Sequence, residues 1–379
     1  MAGGVRKMKR IWGAIKKDTV LMIAWILAIF SCFFVKPSLS YLGYIDYTTL
    51  VLLFCLMVIV NGLQNIKLFE QIAIFFLKKI KTTQQLDLIL MSLCFFFSML
   101  ITNDVALITF VPLTIVVLKI LKKEERVIHI VVLQTLAANL GSMCTPIGNP
   151  QNLFLYTYFH MSLSDFLLTI LPFVFISFLL LSGQILFQRN HQIQSPKIYQ
   201  KYDTDITYLS IYLVLFVLCL CSVLHLFSIF YLLPVIIIVC GFIDKKTIIK
   251  VDYLLLLTFV GFFIFIGNLK NMEIIAQFLN QIVNGYEIAI SVICSQVFSN
   301  VPTTILLSGF TDHIHDLLIG VNIGGLGTLI ASMASLISYK YIARIYPDYK
   351  SQYFISFTKS NILYLIILCL FALIMKVIL

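Results

Sequence analysis

What most limits the folds open to this chain is its shortage of polar sequence. From residue 19 to the end, apolar runs near membrane length follow one another, and the longest polar stretch between them is 188–205. The runs fall at about 19–35, 47–63, 88–101, 105–121, 127–144, 165–187, 206–224, 229–243, 253–268, 287–311, 316–342 and 360–379. A hydrocarbon core about 30 Å thick takes about 20 apolar residues of helix. Backbone there cannot pair with water and must pair with itself, which favours helices. With 60% of the 379 residues hydrophobic and 12% charged, no room remains for a water-soluble domain. The expectation is an all-α polytopic membrane protein.

The net charge of +10 would suit nucleic acid, but the basic residues stand in short clusters beside apolar runs, as topology signals do. No nucleic-acid partner is expected; the partners implied are the lipid bilayer and a small solute. Arg6, Lys7, Lys9, Arg10, Lys16 and Lys17 precede the first run. That run lacks a small-residue cleavage site, so it reads as the first transmembrane helix rather than a signal peptide. The nine cysteines are scattered through apolar segments without zinc or disulfide spacing. They read as small buried side chains, except that Cys144 adjoins a broken segment and could face a cavity.

An internal repeat divides the chain. "DYTTLVLLFCLMVIVNGLQN" (46–65) aligns with "DYLLLLTFVGFFIFIGNLKN" (252–271), and "ANLGSMCTPIGNPQNLFLYTY" (138–158) with "VNIGGLGTLIASMASLISYKY" (321–341). Between them "SMLITNDVAL" (98–107) matches "SQVFSNVPTT" (295–304). Three matches in one order predict two halves, 1–187 and 206–379, joined by a cytoplasmic linker at 188–205. Each half is expected to hold a re-entrant hairpin (86–121 and 287–311) and a broken helix (127–159 and 316–342). If 66–81 lies along the interface as an amphipathic helix, five crossings separate residue 46 from residue 252, and an odd number inverts the second half. With the N-terminus cytoplasmic, all but Lys36, Lys270 and Lys376 of the 27 Lys and Arg fall on the cytoplasmic side. The expected architecture is therefore an inverted repeat of about nine transmembrane helices, two re-entrant hairpins and two interrupted helices, in the plasma (inner) membrane.

Inverted repeats with interrupted helices are the architecture of secondary transporters, whose solute sits near the midplane. Breaking a helix at "CTPIGN" exposes a half-helix N-terminus suited to an anion and free carbonyls suited to a sodium ion. Thr145, Gly148, Asn149 and Asn152 add contacts, while Pro146 and Pro150 keep the helix from closing. "GVNIG" (320–324) alternatively reads as a close-packing GxxxG match.

"TNDVALITFVPLT", "NLGSMCTPIGNPQN", "SQVFSNVPTTILL" and "GVNIGGLGTLIAS" resemble the citrate-transporter-like domain of the ion transporter superfamily. That superfamily includes divalent-anion/sodium symporters, arsenite permeases and a short inner-membrane permease group, the last nearest in length and wording. The resemblance covers nearly the whole chain. It implies that Thr102 and Asn103 form one hairpin tip and Ser299 and Asn300 the other, holding solute with Thr303. It implies that the facing breaks are Thr145 to Asn149 and Gly325 to Thr328, with Gly327 between, and that each tip and break form a sodium site. It also implies elevator-like alternating access and a homodimer. The family's Ser-Asn-Thr triplet departs here to Asp104 in one tip and Val301 in the other. A carboxylate at the site repels a dicarboxylate.

Asp104 is the only acid this topology places deep in the membrane, where ionisable groups are functional by default. Desolvation disfavours its charged form, which makes it a candidate proton carrier, and a bound cation favours that form again. The alternative is an N-terminal cap of the second hairpin arm. "TDHIHD" (311–316) reads as a solvated loop rather than a metal site, and Asp46 and Asp252 as N-terminal charges of matched helices. No HExxH, second core aspartate or core histidine points to an enzyme, and no cofactor is expected beyond Na+ as a coupling ion. The reading is a permease of small anionic solutes such as di- and tricarboxylates, coupled to Na+ or H+. Arsenite or antimonite efflux is the alternative, and a channel a further one.

Overall fold

The computed structural model describes residues 18–193 and 205–378. The basic residues expected at 6–17, and Lys197 and Lys201, lie outside the described residues. Within them the chain is helical: α1 Thr19–Ser31, α2 Tyr41–Tyr44, α3 Tyr47–Asn65, α4 Leu68–Leu77, α5 Thr83–Ile101, α6 Asn103–Ile120, α7 Val127–Ser142, α8 Pro150–Tyr158 and α9 Leu163–Leu186. There follow α10 Ile206–Val223, α11 Ile229–Ile243, α12 Lys245–Ile249, α13 Tyr253–Lys270, α14 Glu273–Val283, α15 Glu287–Phe298, α16 Asn300–Leu307, α17 Ile314–Ile323, α18 Met333–Ile345 and α19 Lys350–Ile378. Leaving α10 aside, each helix of the first half has a counterpart ten labels later.

Local chemistry sets the ends. Asp46 and Asp252, matched in the repeat, cap α3 and α13 by accepting the N–H of Thr49 and of Leu255, each at 3.0 Å. At its far end α3 meets the entry to α13, where Asn65 donates to Asp244 and accepts from Lys250, both at 2.7 Å. The far end of α13 meets the entry to α3: Asn268 donates to Ser31 and Tyr41, and Asn271 to Tyr44, each at 2.9 Å. The two matched helices therefore run in opposite directions, which is the inversion.

Packing repeats this symmetry. Helix α1 lies on α13 and α11 on α3; α6 lies on α18 and α16 on α8; α7 lies on α19 and α17 on α9. Among the described residues, seven helices are long and apolar enough to cross a membrane. Two of them, α5 and α6, are the arms of the first hairpin; the others are α3, α9, α10, α13 and α19. The shorter α1 and α11, of 13 and 15 residues, and the split pairs α7/α8 and α17/α18 complete the nine crossings.

Both hairpins return to the side they leave, because polar contacts tie their ends together. Arg126, just after α6, pairs with the fully buried Asp87 near the start of α5. Thr311, after α16, donates to Glu287 at the start of α15 at 2.8 Å. The hairpins differ in length: α5 and α6 have 19 and 18 residues, α15 and α16 only 12 and 8. The amphipathic helix expected at 66–81 is α4, and its counterpart α14, whose Ile274 and Phe278 are exposed, is an element the sequence reading lacked.

Candidate functional site

Each hairpin turns on one residue in an unusual backbone state. Thr102 and Ser299 both have φ 73°, with ψ 152° and 156°, a region that residues with a side chain seldom occupy. This turn aims the next N–H at the facing break: Asn103 donates to the carbonyl of Gly148 at 3.2 Å, and Asn300 to that of Ala331 at 3.0 Å. Residues 148 and 331 are matched in the repeat. Two further contacts recur. Thr145 donates its hydroxyl to the carbonyl of Met99, and Thr328 donates to that of Gln296 at 3.3 Å. Gly141 and Gly324 lie against Ser98 and Ser295, so close that a Cβ on either glycine would stand 2.7 Å from the serine Oγ. Both tips are thus docked into their breaks in the same way.

In the first break, residues 143–149 separate α7 from α8. Pro150 opens α8 where an N–H is not needed, and Asn149 caps it by accepting the N–H of Asn152 at 2.8 Å. The buried Pro146 stands in the break itself. The free carbonyls expected at the end of α7 are not free, which corrects the sequence reading. Asn152 Nδ2 donates to the carbonyls of Met143 at 3.1 Å and Thr145 at 3.2 Å, because a buried carbonyl without a partner is costly. Asn322 of the second half secures this arrangement, donating to Asn152 Oδ1 at 2.7 Å and accepting from Asn149 at 3.2 Å.

A short polar chain joins the tips across the two halves. Asn103 Nδ2 donates to Asn139 Oδ1 at 3.2 Å, and that oxygen also accepts from Ser332 at 3.0 Å. Ser332 follows Ala331, the residue that holds Asn300. Asn139 further donates to Ser335 at 3.2 Å. The Asn300 carboxamide lies against Gly325, where a Cβ would stand 2.8 Å from Nδ2. Asn139 and Asn322 were outside the predicted set, although their identity in the repeat was a signal for them. Thr303 is fully buried, and its Oγ1, like the Oγ of Ser291 and of Ser295, has no partner among the described residues. Buried hydroxyls of this kind are open to a bound oxygen.

Asp104 does not cap its helix. The N-terminal N–H of Asp104 bonds to Asn103 Oδ1 at 3.0 Å, while Asp104 Oδ1 is occluded and has no partner among the described residues. That orphan oxygen fits a proton or a small cation at the first tip. Asp104 shares a face of α6 with Ile108, Pro112 and Val116 at four-residue spacing. Those three residues line a cavity of about 570 Å³, whose other walls include Gln64, Lys67, Glu70, Thr109 and Lys250. Cys144 is half-buried and packed against the core. "TDHIHD" resolves into separate contacts, His315 with Thr169 at 2.8 Å and Asp316 with Lys376 at 2.7 Å. No group of three or more metal-ligating side chains occurs among the described residues.

Comparison with known proteins adds the following. A family described as citrate transporter matches residues 10–318. The uncharacterised transporter MJ0456 of Methanocaldococcus jannaschii is 35% identical over 302 residues, covering 78% of this chain and 80% of that protein. The inner membrane protein YbiR of Escherichia coli K12 is 29% identical over 307 residues, covering 78% and 79%.

Proposed function

Because the chain belongs to the citrate transporter family, we propose that it is a secondary active permease of small anionic solutes such as di- and tricarboxylates. The observation that carries this reading is the pair of docked tips joined through Asn103, Asn139 and Ser332. Such a junction can hold a solute between the halves and yield it to either side. The solute is bound by Thr102, Asn103, Ser299, Asn300 and Thr303 with the ends of the broken helices, since the tip sequences 98–107 and 295–304 contain no basic residue. Asp104, with its unpartnered oxygen, carries the coupling proton or cation. The cavity along α6 is the approach from the side bearing the lysine clusters, which we take as cytoplasmic in the plasma membrane. The solute crosses by elevator-like alternating access, in a homodimer.

One observation favours a second reading: Asp104, half-buried with an occluded Oδ1, adjoins the first tip, and a carboxylate there tolerates neutral arsenite better than a dicarboxylate. Counterflow in proteoliposomes decides. Labelled citrate, dicarboxylates, inorganic oxyanions and arsenite are each tested for exchange against an unlabelled gradient, with imposed Na+ or pH gradients. Exchange of a carboxylate supports the proposal, and exchange of arsenite alone supports the second reading. Flux without counterflow identifies a channel and overturns both.

A further inference from the structure

The two tip–break junctions match closely, and they differ in how the carbonyls of the break are satisfied. Where the first hairpin carries Met99, the second carries Gln296, and its carboxamide reaches into the second break. Nε2 donates to the carbonyls of Gly324 at 3.0 Å and Leu326 at 2.9 Å, while Oε1 accepts the N–H of Thr328 at 2.9 Å. Because Oε1 must accept there, the orientation of the amide is fixed by its partners. The break is shaped around it: Gly327 has φ +99°, and a Cβ there would stand 2.4 Å from Gln296 Oε1. In the first break the same task falls to Asn152, which belongs to the broken helix and not to the hairpin.

The family resemblance implies a sodium ion between this tip and this break. A sodium ion needs oxygen ligands, and Gln296 Nε2 sets its hydrogens, the positive end of the amide, against the carbonyls of Gly324 and Leu326, where a cation would have to displace them. The tip adds Val301 where the first tip has Asp104. The residues of the second junction do not fit the ion.

We propose that the Gln296 carboxamide is a built-in substitute for the second coupling cation, so that coupling runs through the first junction alone. The substitute also latches the second hairpin to its break, because withdrawing it would strip two carbonyls of their donor. The first hairpin carries no such latch and can part from its break while Asn152 keeps the carbonyls satisfied. This inference rests on the carrier reading for the meaning of coupling, but its test is independent of transport.

Backbone hydrogen exchange at 324–328 is measured on the purified full-length protein in NaCl and in KCl at equal ionic strength. Wild type, Gln296→Met and Gln296→Glu are compared. Wild type is expected to exchange at the same rate in both salts. Gln296→Met is expected to exchange about tenfold faster in both, a 1.4 kcal/mol effect. Gln296→Glu replaces the donor with a charge that needs a counterion, so it is expected to exchange faster in KCl and to recover in NaCl. Sodium-dependent protection of 324–328 in wild type would overturn the proposal by making Gln296 a ligand, and this arm decides even if neither variant folds. Unchanged exchange in Gln296→Met, or loss without sodium recovery in Gln296→Glu, also overturns it. Failed counterflow alongside the expected exchange pattern would remove the carrier reading and leave the latch standing.

Discussion

Asp104 and Val301 occupy matched positions on the two tips, and this one difference gives the halves different chemistry. Asp104→Asn keeps the size of the side chain and removes its titration. It is expected to abolish pH-driven uptake while sparing counterflow, and pH dependence equal to wild type in proteoliposomes would discharge Asp104 from the coupling role. Packing at the tips is equally exacting. A Cβ at Gly141 would stand 2.1 Å from the carbonyl oxygen of Phe95, whereas the nearest atom at Gly324 is a serine hydroxyl at 2.7 Å. Gly141→Ala is therefore expected to destabilise the protein by about 1–3 kcal/mol and Gly324→Ala by less, read as a fall in melting temperature in detergent. The tip residues Asn103 and Asn300 were legible in the sequence because an asparagine inside an apolar run needs a reason. Gln296 was not, because its partners lie 28 to 32 residues away and nothing local marks a side chain that reaches so far.

Among the elements, the first hairpin depends on a single ion pair at its base. Asp87 has no side-chain exposure and Arg126 only 19%, so removing one partner strands the other. Arg126→Met is expected to cost about 3–5 kcal/mol, and Asp87→Leu combined with Arg126→Met to recover most of it. Chemical or thermal unfolding of the purified single and double variants provides the measurement. Helix positions were readable from run length, and the hairpins from parity and charge. Helix α14 escaped because its sequence, "EIIAQFLNQIV", is too short and too polar to register as a span, although α4 was recognised from the same kind of pattern. The carbonyls of the breaks were misjudged for a different reason: a sequence shows where a helix must stop, but not which distant amide comes to meet the groups it frees.

At the scale of the molecule, the inversion followed from counting crossings, and the opposed directions of α3 and α13 bear it out. What counting could not supply is how the halves are assembled. Helix α1 lies on α13, and α10 and α11 both lie on α3, so the opening helices of each half belong to the other half's bundle. Neither half owns a complete interior, and the polypeptide is intertwined rather than hinged. Fragments 1–193 and 205–379 are accordingly expected to reconstitute a working protein when synthesised together. Either fragment made by itself is expected to be cleared by membrane proteases, which immunoblotting of singly and jointly expressed pieces would reveal. Biogenesis must therefore wait for the final strand of the weave: early-emerging segments have to linger in the bilayer, half-clothed, until partners made much later arrive.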